Sequence, residues 1–224
     1  MSKYGSTPNL NTAPTNAGEH WGYNTEALFS NSNVRFVHFE NKGFGDDYAQ
    51  YWDEPEYSDI LQKTLAGKVL VDLGGGDDRE GTSMLRVIQN QRVALDWYIN
   101  IDKHARGWSF GKEADEKTPE KIAISSIRGD LLESVMRIEG NAPGVAFALN
   151  GVDRFLIPGK AFHEALACEI DRVVSPGNVV LTKGSEDTTD EWESDSYRFG
   201  MRRAPGFENA SSMFSPVLWI KEAK

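Results

Sequence analysis

The sequence predicts an α/β protein with an open, mostly parallel sheet covered by helices on both faces. Three observations lead there. Short apolar runs rich in Val, Ile, Leu and Ala alternate with stretches of helical periodicity along most of the chain. The run Lys68–Leu73 opens into three consecutive glycines and then a helical pattern, a strand–turn–helix order. The run Gly144–Leu149 is apolar at nearly every position, as a central parallel strand must be when both its faces are buried. Strands alternating with helices in this way stack as layers around one sheet.

The elements follow in order. Residues 1–33 are dominated by Ser, Thr, Asn, Gly and Pro and read as an extended arm. Val34–Glu40 alternates in a strand-like way until Gly43-Phe44-Gly45 breaks it. Asp46–Glu54 mixes carboxylates with the aromatics Tyr48, Tyr51 and Trp52. From Pro55 to Leu65 a helix is expected, with Tyr57, Ile60, Leu61 and Leu65 on one face, so residues 1–54 are set apart as an arm and 55–224 as the domain. After the glycines, Met84, Leu85, Val87 and Ile88 recur at helical spacing. A second strand runs from Ala94 to Ile101 and ends in Asp102, and a third from Ile122 into Gly129-Asp130-Leu131. Asp130 with Glu133 three residues on is a capping-box start. Ala161–Ile170 carries Phe162, Leu166 and Ile170 on one stripe, and Cys168, inside this helix, is expected in the core. Ser175-Pro176-Gly177-Asn178 leads into a fifth strand, Val179–Lys183, and Asn178 is the kind of residue that tolerates a left-handed backbone.

A tight turn after a strand needs only one glycine. Three in a row, Gly74-Gly75-Gly76, point instead to a loop whose backbone comes close to a nucleotide and aims N–H groups at it. A dinucleotide fingerprint would require a third glycine where Arg79 stands, and its large side chain opposes close helix–strand packing. A phosphate loop would require Gly-Lys-Ser or Gly-Lys-Thr, which the chain lacks. Asp102 lies 26 residues beyond Gly76, near the spacing of about 20 at which a carboxylate accepts from both ribose hydroxyls.

Asp72-Leu73-Gly74-Gly75-Gly76 resembles the first motif of class I S-adenosylmethionine-dependent methyltransferases, D/E-x-G-x-G-x-G, with Asp78 standing at the third glycine. Arg172–Asn178 is similar to the family's R-V-L-x-P-G-G turn, and Gly206–Ala210 with Pro216–Lys221 resembles its last antiparallel pair. The resemblance spans about Pro55 to the C-terminus in the right order. It implies a doubly wound, mostly parallel seven-stranded sheet with an antiparallel C-terminal hairpin. It also implies S-adenosylmethionine as cofactor, held by Asp72, Gly74, Gly75, Gly76, Asp102, Lys103, Asp130, Leu131 and Asn150. Asp130 would read the adenine amine, because a carboxylate accepts from an N6 amine that donates. The N-terminal segment would cover the pocket through Tyr48, Tyr51 and Trp52, joined by Trp192 after the fifth strand. Displacement at a sulfonium needs alignment more than acid–base help. If a base is used, the candidates are His104, Asp153 and His163. No metal ligand set is expected.

A formal net charge of −10 repels nucleic-acid phosphates and anionic membranes, so a small-molecule acceptor is expected. Asn150-Gly151-Val152-Asp153 lacks the Pro-Pro-aromatic continuation of amide and base methyltransferases. The acidic, aromatic segments 46–54 and 187–197 suit a cationic or amine-bearing acceptor, although charge runs are commonly solvated loops. One cysteine excludes an internal disulfide framework, and no apolar run approaches a membrane span. With no apolar leader in the first residues, a cytoplasmic protein is expected. Two other readings stay open: a non-catalytic S-adenosylmethionine or nucleotide-binding module, and an aminopropyl transferase of the same fold. The latter usually pairs acids where Asn150-Gly151 stands. The oligomeric state is not legible.

Overall fold

The structure is a computed structural model that describes residues 52–75, 84–102, 122–149, 160–183, 200–208 and 216–223. Its centre is β1 (Val69–Leu73), a fully buried strand flanked by β2 (Trp97–Asp102) on one side and β4 (Val145–Leu149) on the other. β3 (Ala123–Arg128) extends the sheet beyond β2, and β5 (Val179–Lys183) extends it beyond β4, all five running parallel. β7 (Pro216–Lys221) then pairs antiparallel with β5, and the short β6 (Met201–Arg203) antiparallel with β7. The order across the seven strands is β3-β2-β1-β4-β5-β7-β6. The strand order reverses between β1 and β4, and ligands of open α/β sheets bind outside the carboxyl ends at such a point.

Both faces are covered, as the alternation of strands and helices predicts. A 3₁₀ turn, Pro55–Tyr57, leads into α1 (Ser58–Leu65), and the glycine loop is followed by α2 (Met84–Asn90). Leu61 and Leu65 of α1 and Met84, Val87 and Ile88 of α2 pack on one face against Leu70, Tyr98 and Ala146. The other face is covered by α3 (Leu131–Met136) and α4 (Lys160–Val173). There Val135, Leu166, Ile170 and Val173 meet Val71, Ile99 and Phe147. Asp130 caps α3 as expected, accepting from the Glu133 backbone N–H at 2.9 Å. The far ends of α4 and β7 are tied by a largely buried ion pair, Lys221 Nζ to Asp171 Oδ1 at 2.5 Å.

Three local expectations are corrected. Cys168 is exposed, because the buried stripe of α4 runs through Leu166, Ala167, Ile170 and Val173 and leaves position 168 on the outward side. The left-handed residue after α4 is Gly177 (φ +82°), not Asn178, whose side chain instead turns back to donate to Ser175 Oγ at 2.8 Å. The partner strand of the last hairpin is Met201–Arg203 rather than the stretch beginning at Gly206. Gly206 (φ +93°) belongs to a turn, with the Phe207 N–H donating to Ala204 O at 3.0 Å.

Candidate functional site

The carboxyl end of β1 is polar where the rest of the strand is apolar. Asp72 is fully buried, and its Oδ2 accepts from the Tyr98 hydroxyl at 2.6 Å and from the Met84 backbone N–H at 2.9 Å. Charge-assisted bonds of this kind offset the desolvation of a buried carboxylate. One oxygen thereby ties the end of β1 to the second residue of β2 and the first turn of α2. Period-2 alternation puts Asp72 on the same face as Leu70, and Tyr98, Asn100 and Asp102 share that face on β2.

The backbone leaves β1 through Gly74, which holds a left-handed φ of +85° and donates to Ile101 O at 2.9 Å. At Gly75 the reason for glycine is different. A Cβ there would sit 2.7 Å from both Asn100 Oδ1 and Asp72 Oδ2, and 3.1 Å from Asp72 Cγ. Only a residue without a side chain lets the chain pass this close to two buried polar groups.

β2 ends in Asp102, buried at 6% exposure and level with Arg128 of β3. One strand further out, Asp130 follows β3 and Leu131 opens α3 against the core. The expected residues Asp72, Gly74, Gly75, Asp102, Asp130 and Leu131 thus meet at the carboxyl ends of three adjacent strands. Gly76, Lys103, His104, Asn150, Asp153, Tyr48, Tyr51 and Trp192 lie outside the described residues. His163 lies on α4, and its side chain is also outside them.

Trp52 is the one expected cover aromatic within the description. It is 3% exposed and packs in the core, its ring centroid 5.6 Å from Tyr57 and 5.8 Å from Phe207. The Tyr57 phenol is pushed up to about 12 by burial first, then by a hydrogen bond to Glu56 and the charges of Glu56 and Glu54. Its ring belongs to the same aromatic cluster, stacked on Phe207 at 6.1 Å.

Tyr98 and Asn100 stand against Asp72 and Gly75 at the candidate site, and the sequence reading missed both. The available signal was an Asn inside an otherwise apolar strand, two residues before the terminal acid and on its face.

No family model and no curated protein matches the chain. Among solved structures it is similar to a TehB-like S-adenosylmethionine-dependent methyltransferase from Corynebacterium glutamicum, at 15% identity and a TM-score of 0.46 over 79% of this chain and 88% of that one. It is also similar to an O-methyltransferase family 2 protein from Planctomyces limnophilus in complex with apigenin, at 15% identity and 0.47 over 80% and 62%. A third is the cyclopropane synthase MmaA2 of Mycobacterium tuberculosis, at 11% and 0.43 over 72% and 73%. Five parallel strands centred on β1 and closed by an antiparallel last pair are the sheet that the motif resemblance implied. The chain has a doubly wound, Rossmann-like α/β fold with a mostly parallel seven-stranded sheet and an antiparallel last pair.

Proposed function

We propose that the protein transfers a methyl group from S-adenosylmethionine to a small-molecule acceptor. The observation that carries this reading is the convergence of Gly74-Gly75, Asp102 and Asp130 on the carboxyl ends of β1, β2 and β3. The residues fit the cofactor. A glycine turn packed too tightly for a Cβ at Gly75 offers bare backbone at the end of β1, which suits the close approach of a methionine moiety. Asp102 supplies an acceptor for ribose hydroxyls, and Asp130, one oxygen of which caps α3, has a second oxygen for the adenine amine.

When bound, the cofactor supplies a methyl group activated by a sulfonium. The protein's part is then alignment, since an in-line displacement with a good leaving group gains most from fixed geometry. Gly76, Lys103 and Asn150 would complete the cofactor site. His104, Asp153 and His163 remain the candidates for a base.

The acceptor side is proposed from composition. The segments Asp46–Glu54 and Asp187–Tyr197 place carboxylates beside aromatics, which favours a cationic or amine-bearing acceptor. The net charge of −10 argues against a nucleic-acid acceptor. An exposed free thiol at Cys168 suits a reducing compartment, and a cytoplasmic location belongs to the proposal. Among the described residues, no helix is long and apolar enough to cross a membrane.

The deciding experiment is calorimetry with S-adenosylmethionine, S-adenosylhomocysteine and NAD, followed by an acceptor panel read by S-adenosylhomocysteine release. Asp102→Ala should weaken binding of the homocysteine product by about 1.5–3 kcal/mol, the worth of hydrogen bonds to a charged group. Tight binding of NAD with none of either sulfur compound would overturn the assignment. Binding of the sulfur compounds with no turnover on any acceptor would favour a non-catalytic module. Turnover confined to neutral phenols or carboxylic acids would remove the cationic acceptor. A mobility shift of DNA or RNA is not expected at physiological salt, and a salt-dependent shift at micromolar protein would contradict the charge argument.

A further inference from the structure

We propose that Tyr98 is a positioning residue for the glycine-loop site and acts through Asp72. The proposal rests on the cofactor reading above for its functional consequence, but its mechanical part stands on the geometry alone. Tyr98 is fully buried within the core, where a phenylalanine would fill the same space. What a phenylalanine would lack is the hydroxyl, which donates to Asp72 Oδ2 at 2.6 Å. That same oxygen accepts the Met84 N–H at 2.9 Å and lies where a Cβ on Gly75 would be 2.7 Å away.

The torsion that orients a carboxylate is soft, broad and nearly two-fold, so packing alone fixes its plane poorly. A second donor from a rigid strand removes that freedom. With the hydroxyl in place, one oxygen is held against Gly75 and beneath the first turn of α2 together. Gly75 and the first turn of α2 are thereby set against one oxygen before any ligand arrives, and a preorganised site binds more tightly than one that must be ordered on binding. The sequence separation of 26 residues between Tyr98 and Asp72 means that strand register, not local chain geometry, delivers this constraint.

Tyr98→Phe tests the proposal through two readouts. Hydrogen exchange of the Met84 amide should speed up by about tenfold beyond the change shared by core amides such as Phe147 and Ile170. The dissociation constant for S-adenosylhomocysteine should rise about five- to twentyfold, and adding Tyr98→Phe to Asp72→Asn should change it by less than about twofold, as expected for residues acting as one unit. A merely structural role would accelerate all core amides equally and would add independently to Asp72→Asn. Either of those results overturns the proposal, as does an unchanged dissociation constant where the wild-type protein binds. If the wild-type protein does not bind the compound, the cofactor reading fails, and Met84 exchange still decides whether Tyr98 positions the loop. Asp72→Asn failing to fold leaves the Tyr98→Phe exchange result to decide.

Discussion

Trp52→Ala is expected to destabilise the protein by about 3–5 kcal/mol, the range for truncating a buried tryptophan. The ring is 3% exposed and meets Tyr57 edge-on at 5.6 Å and Phe207 tilted at 5.8 Å. Tyr57 and Phe207 stack on each other at 6.1 Å, so the three rings form a closed cluster in which each covers another. The neighbours come from separate parts of the chain: Leu61 and Leu65 from α1, and Phe207 from the turn after β6. No single element can relax to fill the space, so the cavity term remains on top of the lost burial. Aromatic pairs add about 0.5–1.5 kcal/mol beyond area. Urea denaturation of the variant and of Trp52→Phe measures the effect, with the phenylalanine variant expected to lose less. A loss below about 1 kcal/mol would mean that the ring lies free of the core and is available to cover a pocket.

Much of the framework was legible because burial on both faces leaves a plain mark. β1, β2, β4 and β5 are apolar runs of five or six residues bounded by glycine or polar residues, and that length with those boundaries marks a buried strand rather than a helix. The cap at Asp130 was legible because capping is local, decided within three residues. The failures have equally physical causes. β6 is three residues long, Met201–Arg203, too short to show alternation, and its place is set by pairing with β7 rather than by its own pattern. Cys168 was misjudged because a helix of fourteen residues offers several stripes, and which one is buried depends on where the sheet lies.

The site divides along the same line. Gly74, Gly75, Asp102 and Asp130 could be read because the turn and the strand tips announce themselves locally. Tyr98 and Asn100 could not, because their role depends on a register that puts Asp72 beside Asn100 and within reach of the residue two before it. On the acceptor side Trp52 packs in the core with Tyr57 and Phe207, a placement its own sequence could not announce because both partners are brought in by tertiary packing, while Tyr48, Tyr51 and Trp192 lie outside the described residues.

Gly75→Ala is expected to cost both stability and cofactor affinity. The added methyl would stand 2.7 Å from Asn100 Oδ1 and from Asp72 Oδ2, closer than any ordinary carbon–oxygen contact. Neither atom is the loose end of an exposed chain. Asn100 and Asp72 are fully buried, and Asp72 is held by Tyr98 and the Met84 N–H. The methyl must therefore push the turn outward or break those bonds. Overpacking a filled core costs about 1–3 kcal/mol, and displacing the carboxylate from its donors raises the figure toward the upper end. The affinity consequence is larger in proportion. On the proposed cofactor reading, a turn shifted by a few tenths of an ångström misplaces its N–H groups, and losing two bonds to the ligand weakens binding about 10–100-fold. Gly74→Ala separates crowding from backbone strain, because Gly74 holds a φ of +85° that disfavours any side chain. Calorimetric titration of both variants with S-adenosylhomocysteine, beside their denaturation midpoints, measures the two effects. If Gly75→Ala bound the ligand as the wild-type protein does, the turn would be free to yield and would take no part in the proposed cofactor site.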